Sequence, residues 1–124
     1  MARILLVEDD PVFAYVVTRS LFADGHDVVV CQDPIKALVE LESDRPVDIL
    51  VTDVRLPVGM PHGFSLGRMA KLRRPALPVI FMTGFPDILR HERTPPGPVM
   101  VKPIAPDALI AAVSDELSRG SRLS

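Results

Sequence analysis

An α/β fold on a doubly wound, five-stranded parallel sheet is what this sequence predicts, and three features predict it. Apolar runs of strand length recur along the chain, amphipathic helical patterns separate them, and chemistry-bearing residues stand at the carboxyl end of one run after another. At 124 residues the chain fits one domain, and 48% hydrophobic residues suffice for a buried core.

Ile4 to Val7 reads as the first buried strand. Asp10 can cap the helix that follows, with Pro11 in its first turn, where the missing N–H costs no bond. Phe13, Val16, Val17 and Leu21 mark the inward face of that helix, and Asp24-Gly25 ends it. Val28 to Val30 make the second strand. Asp33-Pro34 opens a second helix carried by Ala37, Leu38 and Leu41. Ile49 to Val51 form the third strand, which ends at Thr52-Asp53. Leu56 to His62 holds two prolines and a glycine and reads as a loop. Phe64, Leu66, Met69, Ala70 and Leu72 supply a third helix, and Pro78 to Met82 a fourth strand.

The fourth helix is expected to be degenerate. Residues 86 to 98 contain four prolines, so only Asp87 to Arg93 could be helical. Val99 to Val101 is the fifth strand, and Pro106 to Leu117 a last amphipathic helix with Leu109, Val113 and Leu117 inward. Residues 1–119 read as the domain and 120–124 as a short polar tail.

Charge narrows the function classes. The formal net charge is −2, without the basic excess of a general nucleic-acid or membrane-surface binder, so neither partner is expected. Cys31 is the sole cysteine, which rules out an internal disulfide. No basic-then-apolar leader opens the sequence and no apolar run reaches membrane-span length, so a cytoplasmic setting is expected.

In an open parallel sheet the functional crevice lies beyond the carboxyl ends of the strands. Glu8, Asp9 and Asp10 follow the first strand, Asp53 the third, Thr83-Gly84 the fourth and Lys102-Pro103 the fifth. Converging carboxylates repel one another unless a cation joins them, and magnesium suits an oxygen-only site that also takes a phosphate oxygen. A lysine and a hydroxyl at the same edge complete a phosphoryl site. A carboxylate can itself be the nucleophile, and Asp53, at the end of a central strand, is the candidate. Taken singly, each feature has a plainer explanation: acids before a helix cap it, and Lys-Pro after a strand is a turn. The combination carries the weight.

The segments RILLVEDDP, DILVTDVRLP, PVIFMTG and VKP, in that order, resemble the receiver domain of bacterial response regulators along essentially the whole chain. The resemblance implies a flavodoxin-like receiver fold and a phosphoacceptor role in a two-component or phosphorelay system. Glu8 and Asp9 become the acidic pair, with Asp9 the direct magnesium ligand, and Asp53 the phosphoacceptor. Arg55 would lend its backbone carbonyl to the metal, Thr83 would be the switch hydroxyl, and Lys102 would meet the phosphoryl group through a cis Lys102–Pro103 bond. Asp10 then reads as a helix cap.

Two departures stand out. Val99 occupies the position where most receivers carry an aromatic, and only 18 residues separate Thr83 from Lys102. Phe81-Met82-Thr83-Gly84 resembles a subset of stand-alone receivers with a Phe-x-Thr-Gly motif, followed here by Phe85. Thr83, Gly84 and Phe85 are therefore the expected switch segment. The expected partners are a histidine kinase or histidine phosphotransfer protein and an output protein that the sequence does not name. The chain is expected to be a signalling domain rather than an enzyme; a receiver cut from a larger regulator, a pseudo-receiver and a small magnesium-dependent phosphatase are the alternatives.

Overall fold

A computed structural model describes residues 2–55, 62–90 and 94–123. Five strands, β1 (Arg3–Val7), β2 (Asp27–Cys31), β3 (Ile49–Asp53), β4 (Val79–Thr83) and β5 (Val99–Val101), form one parallel sheet in the order β2-β1-β3-β4-β5. Four helices join or follow them: α1 (Pro11–Ala23), α2 (Pro34–Glu42), α3 (Gly63–Arg73) and α4 (Pro106–Leu123).

The strands read as unbroken apolar runs because both faces are covered. Alternate side chains go to opposite sides, and each side has its own helices. Ile4, Leu6, Ile49, Val51, Ile80 and Met82 pack with Ala14, Val17 and Leu21 of α1 and with Leu109 and Val113 of α4. Leu5, Val7, Leu50, Val79 and Phe81 pack on the other face with Ala37 and Leu41 of α2 and with Phe64, Leu66 and Ala70 of α3. Phe64 and Phe81 meet edge-to-face there, 4.8 Å between ring centroids. Each such fully buried side chain contributes on the order of 1.5–3 kcal/mol.

The helix starts are fixed as the sequence suggests. Asp10 accepts from the N–H groups of Val12 and Phe13, Asp33 accepts from Lys36, and Pro11 and Pro34 take the first helical positions. Gly25, at φ 92°, adopts the left-handed conformation that ends α1 cheaply. His62 caps α3, its Nδ1 3.3 Å from the Ser65 N–H. Cys31 closes β2 as a buried thiol pushed up to about 11, chiefly by burial and then by Glu40 and Asp33.

Several expectations need correction. Val16 is exposed, because α1 buries Ala14, Val17 and Leu21 instead. Leu72 is 82% exposed: α3 turns Phe64, Leu66 and Ala70 inward, which leaves Leu72 on the far side. Helix α4 runs to Leu123 instead of stopping at Leu117, so most of the expected tail is helical. The degenerate fourth helix is borne out as a five-residue 3₁₀ turn, Pro86–Arg90. The rest of that stretch, 91–93, and all of the 56–62 loop except His62 lie outside the described residues. Among the described residues no helix is long and apolar enough to cross a membrane.

Candidate functional site

Parallel pairing in register brings four strand ends to one edge. Val7 lies beside Thr52, Asp53 beside Met82, and Thr83 beside Val101. Main-chain bonds continue the ladder past the strands: Val54 N–H donates to the Met82 carbonyl (2.9 Å), and Lys102 N–H to that of Thr83 (2.7 Å). The cleft over this edge has a volume of about 460 Å³, and Glu8, Asp9, Asp53, Thr83 and Lys102 are among its lining residues.

Lys102 ties the site together. Its Nζ lies 2.8 Å from Glu8 Oε1 and 2.8 Å from Asp53 Oδ1. Glu8 and Asp53 are almost wholly buried, at 1% and 4% exposure, while Asp9 faces solvent. Carboxylate oxygens of Glu8, Asp9 and Asp53 all lie within 4.8 Å of one another. Glu8 Oε2 also accepts from the Asp10 N–H at 3.1 Å, which locks the turn between β1 and α1.

The pair's electrostatics follow from crowding. Burial, then the neighbouring Glu8, pushes Asp53 up to about 8, and Lys102 offsets only part of this. Burial also opposes charge on Glu8, but hydrogen bonds with Asp53 and Lys102 outweigh it and hold that carboxyl below its ordinary value. Hydrogen bonds to the same two acids outweigh burial at Lys102 and raise it. Without a further cation, then, crowding favours the protonated form of Asp53 over its carboxylate.

A hard divalent cation fits this donor set. The oxygens come from carboxylates alone, they converge, and one ammonium is too little charge for three carboxylates. Asp10 lines the cleft, but its Oδ1 is spent on the Val12 and Phe13 N–H groups, in keeping with a cap.

On the opposite wall Thr83 is buried, and its Oγ1 accepts from the Phe85 N–H at 3.0 Å. Gly84 and Phe85 are exposed at the rim, and the Arg55 guanidinium stacks on the Phe85 ring, 4.1 Å from its centroid. Lys102–Pro103 is cis, as expected.

Two contributors escaped the sequence reading. The ring of Phe13 lies under Lys102, its centroid 4.6 Å from Nζ. Gly63 abuts the main chain of the phosphoacceptor candidate: a Cβ there would collide with the Asp53 carbonyl oxygen and lie 2.7 Å from Val54 Cα. The Gly63 N–H donates to the Val54 carbonyl at 2.8 Å. A glycine directly after a proline-rich loop was the available signal for Gly63, whereas Phe13 depends on a contact between distant parts of the chain.

Comparison with known proteins finds relatives along most of the chain. The family profile described as response regulator receiver domain matches residues 4–114. The DNA-binding response regulator MtrA of Mycolicibacterium smegmatis is 34% identical over 121 residues, 94% of this chain and 51% of the relative. The transcriptional regulatory protein GlrR of Escherichia coli K12 is 28% identical over 97% of this chain and 27% of its own length. The chain thus spans about a quarter to a half of these curated relatives. A response regulator receiver protein from Sinorhizobium medicae superposes with a TM-score of 0.86 at 26% identity, covering 96% of both chains. The receiver domain of the hybrid histidine kinase CckA does so at 0.77 and 30%, covering 93% of this chain and 98% of that one.

Proposed function

We propose a residue-level mechanism on one premise: this chain belongs to the response regulator receiver domain family of two-component signalling. Such receivers take a phosphoryl group, and a histidine kinase is the implied partner. In our reading Asp53 is the acceptor. Its carboxylate oxygen forms the new P–O bond as the N–P bond of the donor phosphohistidine breaks, and the departing imidazole nitrogen keeps the electron pair.

The observation that carries this reading is the Lys102 ammonium 2.8 Å from both Asp53 Oδ1 and Glu8 Oε1 in a cleft open to solvent. From there Lys102 can turn from carboxylate to phosphoryl oxygen. Thr83, whose Oγ1 accepts from Phe85 N–H, keeps its O–H to donate to another. Glu8, Asp9, Asp53 and the Arg55 backbone carbonyl would hold magnesium, which when bound supplies positive charge that lowers the Asp53 pKa and steadies phosphoryl oxygens. Glu8 keeps Lys102 aimed, and Asp10 holds the first turn of α1.

Output, in this reading, is protein–protein contact at the Thr83-Gly84-Phe85 segment, which continues the stretch resembling the Phe-x-Thr-Gly motif of a stand-alone subset. A histidine phosphotransfer protein is a second possible donor. Labelling with a small phosphoramidate or acyl phosphate tests the acceptor: Asp53→Asn should take up no phosphate while Asp10→Asn labels. Equal labelling of Asp53→Asn and the unaltered chain overturns the assignment.

A further inference from the structure

We infer that Phe13 is a positioning residue for Lys102, a cation–π seat that keeps the ammonium aimed into the cleft when its carboxylate partners are neutralised. The inference rests on the phosphoryl-transfer reading above.

An ammonium has three N–H donors. Two of the groups around Lys102 Nζ are the oxygens of Glu8 and Asp53, each at 2.8 Å. The third is the ring of Phe13, 4.6 Å from its centroid, inside the roughly 6 Å within which a cation is drawn to a ring face. The lysine side chain is 27% exposed, so the ammonium is only partly shielded by water.

The ring is itself held. Phe13 belongs to the first turn of α1, its N–H is within 3.4 Å of Asp10 Oδ1, and the side chain packs against the core beneath α1 and α4. Asp10 thus holds the helical turn that carries the ring, and core packing holds the ring itself. This gives the cap a task in the site without making it a ligand.

The carboxylates cannot hold Lys102 equally in every state. A divalent cation bound at Glu8, Asp9 and Asp53 competes with the ammonium for the same oxygens. Phosphorylation converts the Asp53 carboxylate to an acyl phosphate, a mixed anhydride. The aromatic face changes in neither event, so it limits how far the four-carbon stem of Lys102 can stray before it meets a phosphoryl oxygen. The plainer role is packing against that stem, which an aliphatic side chain of similar size would fill as well.

A fluorination series at Phe13 separates the two, because mono-, di- and trifluorophenylalanine weaken the ring's negative face with little change in shape. Initial labelling rates with phosphoramidate at saturating magnesium should fall with each fluorine, reaching three- to tenfold at three, about 0.7–1.4 kcal/mol. Phe13→Leu should fall as far, and Phe13→Tyr should retain the rate. In the metal-free protein, the Lys102 Cε protons should show the upfield ring-current shift in NMR, and Phe13→Leu should abolish it. Flat rates across the fluorinated series, or no upfield shift in the unaltered protein, overturn the inference. Should Phe13→Leu fail to fold, the near-isosteric series still decides. Loss of labelling from the unaltered chain would instead count against the acceptor assignment.

Discussion

Replacing Asp53 by Asn should make the metal-free protein more stable even as it removes the proposed acceptor. The side chains are nearly the same size, so no cavity opens, and the change deletes one of two crowded acids. Asp53 rises from 3.8 to about 8 on folding, through burial and then Glu8. A carboxyl raised in the folded state stabilises fully below its unfolded value and loses that contribution as pH climbs through the folded one. At pH 7 the unfolded chain gains from ionisation what the folded one cannot, which bounds the handicap at roughly 4 kcal/mol. Rearrangement in the open cleft and the lost Lys102 contact reduce it, so a gain of about 1–3 kcal/mol is expected, on the order of 3–15 °C in Tm. Thermal melts in chelator at pH 4, 6 and 8 would measure it. The advantage of Asp53→Asn should be near zero at pH 4 and grow towards pH 8, and millimolar magnesium should shrink or reverse it. An advantage constant across pH, or an asparagine variant that melts lower at pH 8 without metal, would refute the crowding argument.

Asp9→Ala should abolish magnesium binding in calorimetry, the method of choice in a chain without tryptophan; unchanged affinity removes Asp9 as a ligand. Gly63→Ala should cost about 2–4 kcal/mol in denaturant melts and slow labelling, because its Cβ must displace the Asp53 carbonyl. Wild-type stability in that variant would mean that the main chain yields freely. Thr83→Ala should leave labelling largely intact but suppress the response of the rim to a phosphoryl mimic. In amide NMR of the unaltered protein, the largest shifts should fall at Gly84 and Phe85, and shifts concentrated at Val99 instead would contradict the switch assignment.

The alternation of Ile4, Leu5, Leu6 and Val7 between two cores needs no tertiary information beyond helices on both faces, so the sheet was readable from apolar run lengths. The caps were readable too, because Asp10-Pro11 and Asp33-Pro34 act within one turn. Leu72 and Val16 were misplaced because helical periodicity narrows a face without fixing its centre, and the sheet chooses which residues it touches. The run of α4 to Leu123 was missed because polar residues after Leu117 hide a helix that the Ile110 and Leu117 contacts have already anchored. The acids, Thr83 and Lys102 were legible as strand ends. That Lys102 bridges Glu8 and Asp53, and that Phe13 lies beneath it, requires β5 and α1 to meet the same edge, which no local pattern encodes.

Cys31 gives this chain a built-in clock. Its thiol is buried, pushed up to about 11 and chemically quiet, and its carbonyl accepts the Glu8 N–H at 3.1 Å. A thiol reagent can therefore reach it only when the core around it, shared with Ala37 and Leu41 of α2, opens locally. In a protein with one cysteine, the rate of that modification reports the local opening of a single site. Because the Cys31 main chain is bonded to Glu8, a ligand that tightens the acidic turn should also slow this opening, and the same reagent would read site occupancy without a label.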